Sequence, residues 1–491
     1  MTVRRFGAAL CLAAVLAGCG GDNGGGSASG PVASGSGSTG SGAGGGTSAT
    51  TGCSVRERQD WAAAQLREWY LFPETLPISL DPAGYADVDD YIDALTATAR
   101  SQRRDRFFTY LTSIAEENAF FASGSSAGFG FRLTTDASAR RLFVSEAFEG
   151  TTALAAGIDR GTEILAIGAD AGTLRDVATI AAAPGGNGLN DALGPSTAGT
   201  TRAFRVADAA GTRVVTIAKT EYTLTPVSSR YGAKIIDDAG GRYGYVNLRT
   251  FIATADPALR SAFAQFRAAG VTDVIVDFRY NGGGLVSIAE LMGDLLGANR
   301  STSEVLSYTT FRPEKAVENE TRTFAPQAQS IAPTRVAFIG TGGTASASEL
   351  VINAFIPYLR ANAGLIGTNT FGKPVGQIAL DKAACDDRLR VVAFATQNTA
   401  RQGNYYDGLA GTVEASCQAA DDIGFPLGDP REASTRAALN FLQGRSCTRI
   451  PTGAVSTAAA RTLGTPVLLE QRALLIPARP DTVQREVPGA F

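Results

Sequence analysis

The sequence of 491 residues contains no histidine. That absence excludes every mechanism in which an imidazole takes the proton of a serine or cysteine, and it removes a common zinc ligand. Lysine is scarce too, present only at Lys219, Lys234, Lys315, Lys373 and Lys382, the other basic residues being arginine. A guanidinium stays charged in proteins, so any step needing a neutral amine has only these lysines as candidates. An excess of one charge is also missing. The 44 basic and 47 acidic residues leave a net charge of −3, which argues against nucleic acid or an anionic membrane surface as the main partner. Adjacent aspartates at Asp89, Asp237, Asp386 and Asp421 read as solvated turns or helix starts rather than calcium sites, and no metal or other cofactor is expected.

The first residues, "MTVRRFGAALCLAAVLAGC", place Arg4 and Arg5 before an apolar stretch that is too short to span a membrane, which is the pattern of a secretory signal over 1–18. "LAGC" resembles the bacterial lipobox, which implies cleavage before Cys19 and lipidation of that cysteine. Residues 19–52 are mostly Gly, Ser, Thr and Ala, a flexible tether of about 30 Å r.m.s. reach by coil scaling. The expectation is an exported lipoprotein on the periplasmic face of the outer membrane. Four cysteines remain after the lipobox, an even count that favours two disulfides in an oxidising compartment. Of the possible pairings, Cys385–Cys417 would staple one late loop region, and Cys53–Cys447 would tie the start of the folded part to its end.

Length suggests two or three domains at about 100–200 residues each. Over 53–124, "DWAAAQLREWYLF" and "VDDYIDALTATAR" carry helical periodicity, so a small helical region is expected. "SSAGFGFRL" comes next, with Gly128, Phe129, Gly130 and Phe131, then the strand-like "RRLFVSEAF" and "TTALAAGIDRGTEILAIGADA". Glycines let successive N–H groups turn toward one anion, and a strand edge beside them can accept an extended peptide. A plain β-hairpin would explain the four residues alone. Taken together with the sixty residues behind them, they make residues 125–222 resemble a PDZ domain, which implies that Gly128–Phe131 bind a peptide C-terminus.

Residues 223–450 alternate strands and helices, an α/β core whose interesting residues fall in loops after strand ends. In "GTGGTASASELV", Ser346 with Glu349 before an apolar helical face forms the pattern of a capping box. A serine there could instead be a nucleophile, with the N–H of Ala347 and the positive helix end stabilising an oxyanion. In "AGLIGTNTFGKPVGQIAL", Lys373 lies after an apolar strand and a glycine. To act as a base it must be neutral, and burial disfavours its charge. Lowering its pKa from about 10.4 to about 7 costs roughly 4.6 kcal/mol, which packing must supply. Gly367 to Lys373 also fits a phosphate-loop pattern, but Pro374 stands where that motif needs Ser or Thr, and the next residues read as strand.

In order, "VDFRYNGGG", "GGTASASELV" and "GTNTFGKPVGQ", behind a PDZ-like segment, resemble the carboxy-terminal processing peptidases, also called tail-specific proteases. The resemblance runs from about Val55 to Cys447 and implies a multidomain α/β protein with a crotonase/ClpP-like peptidase core and a tail over 451–491. It implies Ser346 as nucleophile, Lys373 as general base and Gln377 as the group orienting the lysine. The oxyanion donors implied are the N–H groups of Ala347 and Gly283. Gly282 stands where the family pattern has proline, and Thr344 where it has the first serine. The implied function is that of a serine endopeptidase cutting peptide bonds through an acyl-enzyme, on protein substrates held by their C-termini. An inactive peptide-binding scaffold and a hydrolase of non-peptide acyl groups are the alternative readings.

Overall fold

The computed structural model describes residues 51–183, 186–452 and 472–491. The expected signal, Cys19 and almost all of the tether lie outside the described residues. Among those described, no helix is long and apolar enough to cross a membrane. The chain is a multidomain mixture of helices and sheets.

"VTDVIVDFR" forms the central strand Asp273–Asp277. Its side chains alternate between two apolar layers, as the two-residue repeat of a strand requires. Val274 and Val276 pack with helices Ala255–Ala268, Val286–Leu295 and Ala347–Leu359 on one face, while Ile275 packs with helix Ala433–Leu442 on the other. The sheet is six-stranded, in the order Ala233–Asp238, Gly241–Asn247, Asp273–Asp277, Arg335–Gly340, Ala363–Gly367, Ala415–Gln418, and only its first pair is antiparallel. Parallel pairing brings the carboxyl ends of the middle strands to one edge. The three motifs of the sequence leave from that edge.

A second, antiparallel sheet contains Val305–Phe311, Glu320–Thr323, Val375–Lys382 and Asp387–Gln397. The helical region contributes to it directly. Strand Tyr110–Ser113 pairs with Asp387–Gln397, Tyr110 opposite Arg390, and helices Val55–Trp69 and Val88–Leu95 bury Leu66, Tyr70, Ile92 and Leu95 against Val391 and Val392. The third sheet includes Phe131–Asp136, Arg141–Ala147, Glu163–Gly168, Thr201–Asp208 and Gly211–Ala218, and it closes over a core containing Phe129, Phe131, Leu133 and Phe204. A ribbon of Ser125–Gly128 with Thr220–Thr223 joins this unit to the rest.

The disulfides differ from the expected pairing. Cys53 bonds Cys385 and Cys417 bonds Cys447, with Cα separations of 5.5 and 5.4 Å. Cys385 lies in the turn between two strands of the antiparallel sheet, whereas Cys417 lies on the edge strand of the parallel sheet, so Cys385–Cys417 cannot form. After helix Ala433–Leu442 the chain returns beside that edge, where the Gln418 N–H donates to Thr448 O at 2.7 Å and brings Cys447 alongside. Cys53, just before the first helix, meets the Cys385 turn. Non-reducing peptide mapping should therefore recover the pairs Cys53–Cys385 and Cys417–Cys447, and serine at both Cys53 and Cys385 should lower stability in urea by about 2–5 kcal/mol. A linked Cys385–Cys417 peptide would contradict this arrangement.

Candidate active site

Ser346 sits in the turn between strand Arg335–Gly340 and helix Ala347–Leu359, with φ 55° and ψ −116°. This conformation is costly for a residue with a Cβ and persists only where the surroundings impose it. The adjacent strand end does so. The Ala345 N–H and the Ser348 hydroxyl donate to Asn281 O at 3.0 and 3.2 Å, and the Thr344 hydroxyl donates to Phe278 O at 2.8 Å.

Glu349, one turn into the helix, is fully buried. One carboxylate oxygen accepts from the Ser346 N–H at 3.1 Å and the Lys373 N–H at 2.7 Å; the other accepts from the Thr370 hydroxyl at 2.6 Å and the Gly372 N–H at 2.8 Å. The carboxylate half of the capping box is present, but the same group also ties the serine turn to the lysine loop. Burial pushes its pKa up, opposed by the hydrogen bonds from Thr370, Lys373, Gly372 and Ser346.

The Lys373 side chain is half-buried, its ammonium nitrogen 5.0 Å from the centre of the Phe108 ring. Nζ donates to Gln377 Oε1 at 2.8 Å, and Gln377 Nε2 donates in turn to Phe108 O, which orients the amide oxygen toward the lysine. A register shift between Gly376 and Gln377 marks a bulge, a device that re-aims a side chain. Burial lowers the Lys373 pKa, with Glu486 acting to raise it and Arg485 to lower it. Among the described residues no carboxylate makes an ion pair with Lys373, and its Nζ makes no hydrogen bond to Ser346. Arg106 fixes the loop from outside by donating to the carbonyls of Phe371 and Gly372 at 2.7 and 2.6 Å.

The glycine turn completes the site. Gly283 and Gly284 have φ of 123° and 130°, and a Cβ on Gly283 would lie 2.7 Å from the Cβ of Ser346, so only glycine fits. The two expected oxyanion donors differ in state. Ala347 opens its helix, so its N–H has no partner within the helix. The Gly283 N–H is not free: it donates to Asn281 Oδ1 at 2.9 Å. Its neighbour Gly282, which unlike proline has an N–H, donates to Glu486 O at 3.0 Å. The reason is local, since Asn281 folds back on its own turn and residues 485–486 lie against Gly282.

The expected peptide-binding residues lie elsewhere, where the chain passes from the Ser125–Gly128 ribbon strand into the third sheet at Phe131. Phe129 and Phe131 are fully buried in its core, and the N–H groups of Gly130 and Phe131 both donate to Phe491 O, at 2.9 and 3.4 Å. A Cβ on Gly128 would meet the Phe491 carbonyl carbon at 2.7 Å. Sequence reasoning missed four contributors: Arg106, Phe108, the helix end at Arg485 and Glu486, and a buried network in which Arg279 pairs with Asp277 and Glu432, both at 2.9 Å. Arg279 stood inside the motif "VDFRYNGGG". Nothing in spacing indicated the other three.

Known proteins share these segments. The model of peptidase family S41 matches residues 242–402. A carboxyl-terminal-processing protease of Picosynechococcus sp. is 27% identical over 255 residues, covering 51% of this chain and 55% of the relative. Carboxyl-terminal-processing peptidase 3, chloroplastic, of Arabidopsis thaliana is 28% identical over 282 residues, covering 54% of this chain and 49% of the relative. The chain thus spans about half the length of the curated relatives it matches. A crystal structure from Bacteroides fragilis, named as an S41 protease, shares the fold with TM-score 0.59 and 22% identity, covering 78% of this chain and 97% of that one. The segment that is similar to peptidase family S41 contains the glycine turn, the Ser346 turn and the Lys373 loop.

Proposed function

We propose that the protein is a serine endopeptidase in which Ser346 is the nucleophile and Lys373 the general base. The observation that carries this reading is the setting of Lys373: its ammonium is placed next to an aromatic ring, has a neutral amide as acceptor and makes no ion pair among the described residues, so burial favours the neutral amine that a base must be. Neutral Lys373 takes the proton of the Ser346 hydroxyl as its oxygen bonds the peptide carbonyl carbon. The oxyanion forms beside the Ala347 N–H, with the Gly282–Gly283 turn as the source of a second donor once it is released from its present partners. Protonated Lys373 then donates to the leaving amine, and water hydrolyses the ester. Gln377 keeps Nζ aimed through both steps.

Gly128–Phe131 form, in this proposal, a PDZ-type groove that receives the C-terminal end of the substrate, while export and a lipid on Cys19 hold the enzyme at a membrane. The engaged N–H groups of Gly282 and Gly283 favour a second reading, a scaffold that binds peptides without cutting them. Incubating the protein and its Ser346→Ala variant with unfolded proteins, with products identified by mass spectrometry, decides between them. Cleavage that vanishes in the variant supports the peptidase; no cleavage and no labelling by a serine-reactive probe supports the scaffold.

Ser346→Ala and Lys373→Ala should fall to similar residual kcat, with the double variant little worse, because members of one catalytic unit are not additive. Lys373→Arg should be nearly inactive, and Gln377→Ala should lose less. If Ser346 only caps its helix, Ser346→Ala keeps its rate and loses about 1 kcal/mol of stability, read as a lower Tm.

The pH profile has a definite sign. A base with a lowered pKa is protonated and idle below it, so kcat/KM should rise with pH through a pKa below the ordinary lysine range and then level. A profile that falls over that range would contradict Lys373 as base.

Cys19→Ser should move the protein from the membrane fraction to the soluble fraction. Unchanged fractionation would remove the lipid anchor from the proposal.

A further inference from the structure

One edge of strand Phe131–Asp136 pairs with Arg141–Ala147; two pieces of the tail complete the other. Arg472, Ala473 and Leu474 lie antiparallel to Asp136, Thr135 and Thr134, and the Leu475 N–H donates to Leu133 O at 3.0 Å. The chain then leaves the edge for residues 476–488 and returns at Gly489 in the same direction. The Leu133 N–H donates to Gly489 O at 2.9 Å, Ala490 bridges Arg132, and the Phe491 N–H donates to Phe131 O at 3.0 Å. This is strand addition to a sheet edge, a common way of holding a peptide.

The side chains of the last piece are selected as strictly as its backbone. Phe491 is 5% exposed and packs in the core that holds Phe129, Phe131 and Phe204. Ala490 is 3% exposed beside Phe120, Phe148 and Val487. Gly489 has φ 84°, and a Cβ there would approach Leu133 O at 3.0 Å. The sequence Gly-Ala-Phe therefore meets a groove that takes an aromatic residue, then a small one, then glycine.

The intervening residues 476–488 run over the catalytic cleft. Their helix Thr482–Glu486 begins at Asp481, Arg485 donates to Phe107 O at 3.0 Å, and Glu486 O receives the Gly282 N–H. Ile476, Pro477 and Glu486 wall the cavity that contains Lys373, and Glu486 also walls the one that contains Ser346. Arg132, buried, donates to both Tyr280 O and Pro488 O at 2.6 and 3.0 Å, so the strand edge, the glycine turn and the tail share one side chain.

We infer that residues 489–491 are the resident ligand of the groove along Gly130–Leu133, that the groove takes peptides ending in Gly-Ala-Phe or close chemical equivalents, and that such peptides reach it only by displacing the tail, which uncovers the cleft. The inference rests on the peptidase reading for its effect on rate, but not for its effect on binding. A groove that is free only a fraction of the time weakens apparent affinity by that fraction, so a tail bound nine-tenths of the time costs about tenfold.

The test uses the full chain carrying Ser346→Ala and a fluorescein-labelled peptide Arg-Glu-Val-Pro-Gly-Ala-Phe, read by fluorescence anisotropy. Gly489→Val, which strains the φ 84° position without removing a core side chain, and Phe491→Asp are both compared with the parent. The labelled peptide should bind both variants at least tenfold more tightly than the parent. With Ser346 restored, Gly489→Val should raise kcat/KM on an unfolded protein substrate by a similar factor. Equal peptide affinity in the parent and in a folded Gly489→Val variant overturns the inference. Tighter binding with no cleavage by any Ser346 protein leaves the resident ligand standing and refutes the peptidase reading instead.

Discussion

The carboxylate of Glu349 is the constraint on which the site depends. A fully buried carboxylate would be driven toward its neutral form, and what opposes that here is a set of hydrogen bonds drawn from separate segments: one from the serine turn and three from the lysine loop. Each loop donates main-chain N–H groups to the same acceptor. Neither can shift without leaving a buried group unpaired, at about 1–3 kcal/mol for each lost bond. The strained backbone of Ser346 persists for the same reason, because the strand end at Phe278–Asn281 and Glu349 grip the turn from two sides.

The second constraint is steric. Gly283 passes so close to Ser346 that a methyl group would overlap it, and Gly282 passes so close to Arg485 O that a Cβ would lie 2.2 Å away. Close approach of backbone to backbone lets main-chain N–H groups, rather than side chains, surround the serine. It also exposes those groups to competition. In this conformation Asn281 and the tail hold the N–H groups of Gly283 and Gly282, so the turn is engaged in intramolecular bonds, and the proposed peptidase requires their exchange for bonds to substrate.

Arg132, Glu146 and Arg249 connect this arrangement to the third sheet. Arg249 donates to Glu146 and Glu149, both at 2.7 Å, while Arg132 pairs with Glu146 at 3.3 Å and reaches the carbonyl of Tyr280. Buried charges of this kind add little net stability over apolar packing, yet breaking one partner leaves an uncompensated charge. They make the relation between the strand edge and the glycine turn costly to alter piecemeal.

Composition alone determined which chemistry the site could contain. Without histidine and with few lysines, Lys373 stood out by its setting after an apolar strand and a glycine, and Ser346 by its place before an amphipathic helix; the α/β core was legible because its middle strands are largely apolar and its helices repeat every three to four residues. The pattern Ser-x-x-Glu announced a cap, which forms within one turn and is therefore local. That Glu349 also reaches Thr370, Gly372 and Lys373 depends on strands Arg335–Gly340 and Ala363–Gly367 lying side by side, and pairing partners are not encoded in spacing along the chain. The cysteines illustrate the same limit: an even count implied bridges, but distance in sequence does not measure distance in space, and the expected Cys385–Cys417 pair joined a turn of the antiparallel sheet to the edge strand of the parallel one. The tail showed no usable periodicity because the contacts of its described residues, with a strand edge, a cleft and a core pocket among them, are built by residues far away in sequence. Local propensity and residue chemistry were thus readable from the chain, whereas every feature that needed two distant segments to meet was decided by the packing of the sheets.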